Sequence, residues 1–373
     1  MRVRGRVVTP EGVLEKGSVR VVGDRIAEVS AVATGRRGRG DRSATWVVPG
    51  FVDLHVHGGG GYSFADSDPE QARATAAFHR GQGTTTMLAS LVTASRRETL
   101  AQTRALAPLV HGGEIAGVHL EGPYLSPARC GAQNPAHLRD PDPAELADLL
   151  ALGVVRTITI APELPGALPA IEQVRAHGAV VAVGHTDATY QQALAAVDAG
   201  ATLATHLCNA MRPIHHRDPG PIVALLDSPG VVCEAIADGV HLHDGMLRHI
   251  ARVAGADRVA LITDAIAAVG MPDGEYELGG LDVTVSRGVA RLAGSATIAG
   301  STLTTAAAFR NAVHSGVSMV DAVRMSAATP AKVLGLGAEI GAIAPGLRAD
   351  LVLLDDDLSV TAVIRAGDLV EPV

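Results

Sequence analysis

The spacing of hydrophobic and polar positions changes near residue 50 of this chain. Before it, short runs with strand-like patterning cover Arg2–Thr9, Gly17–Val22, Arg25–Val29 and Thr45–Val48, which predicts strands separated by turns. Gly23-Asp24 between two of these runs is a hairpin signal, and the Gly/Arg-rich stretch 34–41 reads as an exposed loop. After residue 50, short apolar runs alternate with stretches of helical pattern. The runs are Phe51–Val56, Thr84–Leu88, Ile115–Leu120, Val154–Ile160, Val180–Val183, Thr202–Thr205, Val231–Ala235 and Val259–Ile262. Between most of them lie expected helices, among them Pro69–Gln82, Arg96–Val110, Pro143–Leu152, Leu168–His177, Thr189–Ala199 and Met246–Ala254.

Strand and helix alternating eight times predict an α/β fold, a (β/α)8 TIM barrel. A doubly wound sheet would compete, yet no GxGxxG opens a helix here. A β-rich insertion at about 272–296 follows the eighth strand, then helices around Thr302–Ser315 and Met319–Ala328. The tail returns to strands within 346–354 and at Val360–Arg365. The two β-rich ends, 1–49 and 335–373, are expected to pair into a small β-sandwich domain beside a barrel domain at 50–334.

Composition narrows the function classes. Apolar residues make up 47% but aromatics only 2%, so the core must be built from Ala, Val, Leu and Ile. A net charge of −8 with scattered basic residues excludes a nucleic-acid or anionic-membrane surface as the main partner. The start lacks a signal peptide's apolar segment and no run reaches the length of a span; a soluble cytoplasmic protein is expected. Cys130, Cys208 and Cys233 form no CxxC pair, which suits a reducing compartment. Of 31 basic residues only Lys16 and Lys332 are lysines.

The chemistry sits where barrel strands are expected to end, the face on which such barrels place active sites. His55-Val56-His57 follows the first strand and runs into four glycines, so two imidazoles share one face with room above them. Glu121 follows the third strand in His119-Leu120-Glu121-Gly122-Pro123, His185 the fifth, His206 the sixth and Asp264 the eighth. Four histidines and two carboxylates make a mixed N/O set suited to a divalent metal.

The motifs PGFVDLHVHG, HLEGPYLS, VGHTDA, THLCNAM, IADGVH, LITDA and TIAGS together resemble the amidohydrolase superfamily and, within it, the N-acetylglucosamine-6-phosphate deacetylase family. The resemblance covers nearly the whole chain. Many binuclear relatives bridge their metals with a carbamylated lysine on a barrel strand. Neither Lys16 nor Lys332 lies on an expected barrel strand, so Glu121 is the natural substitute.

The resemblance implies hydrolysis of the 2-acetamido group of N-acetylglucosamine 6-phosphate, with Asp264 as general acid and base. It implies Glu121, His185 and His206 as the constant metal site, with His55 and His57 able to hold a second ion. One or two divalent ions per subunit are expected, drawn from Zn, Fe, Co and Mn, with Zn first. The expected substrate contacts are Ala132, Gln133, Asn209, Ala210, Arg217, His241, Ile298 and Ala299. Gln133 stands where the family usually has histidine. Arg217 is the expected phosphate ligand, since guanidinium pairs with phosphate through two parallel bonds. A homodimer is expected. Another N-acyl amino sugar as substrate, or a catalytically silent scaffold, are the competing readings.

Overall fold

The computed structural model describes residues 1–31 and 41–371. The loop expected at 34–41 lies outside them except for Asp41, which begins a strand, Asp41–Pro49.

Eight parallel strands form one sheet in strict chain order: Phe51–Asp53, Thr84–Leu91, Gly117–Glu121, Val155–Ile160, Val180–Val183, Leu203–Ala204, Val232–Ile236 and Val259–Ile262. Thr84–Leu91 is buried at every position, as expected of a parallel strand covered on both faces. Several helices between the strands start on side-chain caps that the sequence supplies. Asp68 and Asp142 accept backbone N–H groups, and Ser95 with Glu98 and Thr189 with Gln192 form capping boxes. Helix Gly220–Asp227, after the sixth strand, is not apparent from the periodicity.

The ladder between first and last strands is absent; side chains and post-strand backbone replace it. Asp53 is fully buried, and its carboxylate accepts from the backbone N–H of His55 and Thr263 and from the hydroxyls of Thr263 and Thr305, at 2.7–3.3 Å. Just beyond the strands, Asp264 N–H donates to His55 O (2.9 Å) and His57 N–H to Ala265 O (2.8 Å). The barrel therefore closes at His55, His57 and Asp264, residues that the sequence marks as site candidates. The first strand is shorter than its apolar run suggests, because the chain bends at Leu54.

Both chain ends join in one seven-stranded sheet, with the C-terminal strand Leu351–Leu354 antiparallel to Asp41–Pro49. The expected sandwich is this single sheet curled over one core that includes Val3, Val7, Val19, Ile26, Val47, Leu351 and Ile364. Curling brings Arg25 at one edge against Arg348, just before Leu351. The insertion is a three-stranded antiparallel sheet, Gly274–Leu278, Leu281–Ser286 and Val289–Leu292. Its apolar face packs on Val92, Ile266 and Ala268, which roofs part of the barrel mouth. Among the described residues no helix is long and apolar enough to cross a membrane.

Candidate active site

Three of the six strand-end residues sit in backbone conformations that side chains rarely adopt. His185, His206 and Asp264 have φ of 47°, 27° and 51°, in each case two residues past a strand's last residue. Such strain persists only when surrounding structure over-determines it. At His185 the tight approach is made by Gly184, where a Cβ would lie 2.6 Å from Thr205 Cβ and 2.9 Å from Thr159 Cγ2.

These turns aim the side chains at one point. Glu121 Oε1 lies 2.9 Å from His206 Nε2 and 3.1 Å from His185 Nε2, and those two nitrogens are 3.1 Å apart. Its Oε2 lies 3.3 Å from His57 Nε2, while His55 Nε2 and His57 Nε2 are 3.0 Å apart. Asp264 Oδ1 is 3.1 Å from His57 Nε2. Two buried three-residue groups thus share Glu121: His55, His57 and Glu121, and Glu121, His185 and His206. The structure brings together all six residues that the strand ends predict.

The donor set fits a divalent cation. His185 Nδ1–H donates to Arg129 O (2.9 Å) and His57 Nδ1–H to Ser90 O (3.2 Å). Carbonyls only accept, so both rings keep the Nε2 lone pair for the cage. His55 Nδ1 faces Glu234 Oε2 at 3.4 Å, which sets the same tautomer. Burial disfavours charge on His55, but Glu121 and Asp264 outweigh it and hold this imidazole well above its ordinary value. His57 is raised likewise against burial by Asp264 and Glu121. Burial would raise Asp264, yet the charge on His55 and the bond from His57 bring it down to about 2. The carboxylates of Glu121 and Asp264 thus favour positive charge at the imidazoles beside them.

The cage floors a cavity of about 290 Å³. Ala132, Gln133, Asn209, Ala210, His241 and Ile298 line it, six of the eight expected substrate contacts. His241 is fixed by Asp238 through Nδ1 at 2.7 Å. Ala299 is fully buried in the insertion's small core, between lining neighbours Ile298 and Gly300. Arg217 is not on the wall: it is exposed, with Nη1 2.7 Å from His216 Nε2. Burial pushes the thiols of Cys208 and Cys233 up to about 11 and about 12, which leaves them protonated. His119 lies beneath His55, bonded to Ser90 and Thr159, and His243 caps helix Asp244–Ala254.

Sequence reasoning passed over Glu234 and Asp53. Glu234 is fully buried, faces His55 Nδ1 and accepts from His206 N–H (3.2 Å). A lone acid inside the apolar run Val231–Ala235 was the available signal, because an unpartnered buried carboxylate is costly.

A (β/α)8 barrel with a shared carboxylate and paired histidines at its mouth defines a metal-dependent hydrolase of the amidohydrolase type. The model of the amidohydrolase family matches residues 46–370, and the chain belongs to that family. It is 36% identical over 371 residues to the N-acetylgalactosamine-6-phosphate deacetylase of Escherichia coli O157:H7, covering 98% of this chain and 97% of that one. It is 38% identical over 360 residues to the human N-acetylglucosamine-6-phosphate deacetylase, covering 92% and 87%. Among solved structures, a mutant of the Mycobacterium smegmatis N-acetyl-D-glucosamine-6-phosphate deacetylase in complex with N-acetyl-D-glucosamine-6-phosphate matches with a TM-score of 0.96. Identity there is 49%, covering 99% of each chain.

The tight approach at Gly184 can be tested. Gly184→Ala should push His185 out of place, weaken Zn²⁺ binding in chelator competition by roughly tenfold or more, and cost about 1–3 kcal/mol in denaturant unfolding. Unchanged values for both would show that this approach does not set the site.

Proposed function

We infer that this protein hydrolyses the acetamido group of N-acetyl-D-glucosamine 6-phosphate to D-glucosamine 6-phosphate and acetate, in amino-sugar catabolism. The observation that carries this is Asp264 on the wall of a cavity floored by the Glu121-centred histidine cage. Relatives named as deacetylases of N-acetylhexosamine 6-phosphates over almost the whole chain support the same reading. The cavity, about 290 Å³, lies at the small end of ligand pockets, which run from about 300 to 1,000 Å³, and suits one monosaccharide.

Glu121, His185 and His206 would hold one divalent cation, and His55 and His57 a second. Such an ion supplies Lewis acidity, which acidifies the attacking water and polarises the amide carbonyl. Asp264 takes the proton as the water's oxygen bonds to the acetyl carbon. It then hands that proton to the nitrogen as the C–N bond breaks, so one carboxylate serves both steps. His241 and Asn209, fixed by Asp238 and by the His206 carbonyl, offer polar groups to the sugar. Zinc, a homodimer and a cytoplasmic location belong to the same proposal. The His/Glu donor set and three free cysteines support the first and last of these.

Acetate release from the phosphorylated substrate, with and without added divalent metal, tests the reading. Asp264→Asn should lower kcat by about 10²–10⁴-fold while metal content stays at the wild-type level; near-normal turnover would remove Asp264 from the chemistry. N-acetyl-D-galactosamine 6-phosphate belongs in the same assay. A preference for it would change the substrate but not the class of reaction.

Arg217 remains our proposal for the phosphate, from its residue type and its loop after Ala210. Arg217→Ala should raise KM for the phosphorylated substrate roughly 10- to 100-fold, the worth of a hydrogen bond to a charged group. KM for unphosphorylated N-acetylglucosamine should hardly move. Equal effects on both would count against phosphate contact.

A further inference from the structure

We propose that Gln133 is a positioning residue for the metal-holding carboxylate, not a substrate contact. Gln133 lines the cavity, yet its side chain is 4% exposed and its amide is engaged at both ends. Its Nε2 donates to Glu121 Oε2 at 2.5 Å, and its Oε1 accepts from Thr93 N–H at 2.7 Å. Only one orientation of the amide satisfies both contacts: a carboxylate can only accept and a backbone N–H can only donate. The side chain is therefore a fixed strut from the loop after the second strand to the third strand's terminal carboxylate.

The strut acts on a particular oxygen. Glu121 Oε1 faces His185 and His206, whereas Oε2, the one Gln133 holds, faces His57. Thr93 Oγ1 donates to Glu121's own backbone carbonyl at 3.1 Å, so Thr93 grips the residue directly at the main chain and, through Gln133, at the side chain. Fixing Oε2 sets the plane of the carboxylate, and that plane decides whether Glu121 can serve both histidine pairs at once. Hydrogen-bond partners of ligating carboxylates tune metal sites in this way, at typically 10- to 100-fold in affinity. This chain, we infer, uses position 133 to orient its cage. The proposal rests on the reading of that cage as a divalent-metal centre.

Zn²⁺ affinity, measured by competition with a chromophoric chelator, separates the alternatives in wild type, Gln133→Met and Gln133→Asn. Methionine keeps the volume but lacks the N–H; asparagine keeps the amide but is one methylene too short to bridge both partners. Both should bind Zn²⁺ roughly 10- to 100-fold more weakly. At saturating Zn²⁺ their KM for N-acetylglucosamine 6-phosphate should change far less than this, with apoprotein circular dichroism unaltered. Wild-type Zn²⁺ affinity with a raised KM would overturn the proposal and return Gln133 to the substrate. Loss of fold in both variants would also overturn it, by assigning the side chain to packing. If wild type itself took up no Zn²⁺, the hydrolase reading would fail along with this one. Equal Zn²⁺ affinity in all three proteins would sink the Gln133 assignment alone.

Discussion

A buried carboxylate that meets imidazoles and an amide, with no lysine or arginine among its hydrogen-bond and ion-pair partners in the described residues, organises the mouth of this barrel. Glu121 is 3% exposed and touches His55, His57, His185 and His206 as well as Gln133. An uncompensated charge at such depth is costly. Burial alone would raise its pKa, yet the charge on His55 and bonds from His185 and His206 hold it well below its ordinary value. The arrangement is stable only where positive charge accumulates, which is why the residues that satisfy Glu121 are also a fitting donor set for a cation.

The fold serves that centre by placing strand ends, not strands, against one another. Backbone bonds between residues 55–57 and 264–265 complete the barrel's closure, with Asp53 bridging the gap just below them. Burial pushes Asp53 up to about 6 against the bonds it accepts from Thr263 and His55, so this seam also carries a cost. The left-handed turns at His185, His206 and Asp264 add strain. Cost concentrated at one rim of an otherwise apolar barrel is typical of a site maintained for chemistry.

Much of this was legible in the residues. Alternating apolar runs and helical stretches located the eight strands and most helices, because parallel strands are apolar on both faces and helix starts carry their caps in sequence. The six residues at the cage were legible because each follows a strand. Missing lysines on the barrel strands pointed to Glu121 as the shared ligand; in the structure Lys16 lies in the end sheet and Lys332 near Asp257. What periodicity could not show was geometry across the barrel: Glu234 behind His55, Asp53 as the closing seam, and Gln133 turned from the cavity to Glu121. Each depends on residues far apart in sequence whose proximity only the closed barrel creates. Arg217 shows the reverse limit: its chemistry alone points to the phosphate, and its exposed place beside His216 leaves that contact a proposal.

Glu121 is, on our proposal, the residue that holds the cation centre together. The most direct measurement is the metal content of protein purified without chelators, wild type against Glu121→Gln, by elemental analysis alongside the unfolding midpoint. The wild type should carry bound divalent metal, and Glu121→Gln should lose most of it while remaining folded. Retention of the wild-type metal content by Glu121→Gln would contradict the account.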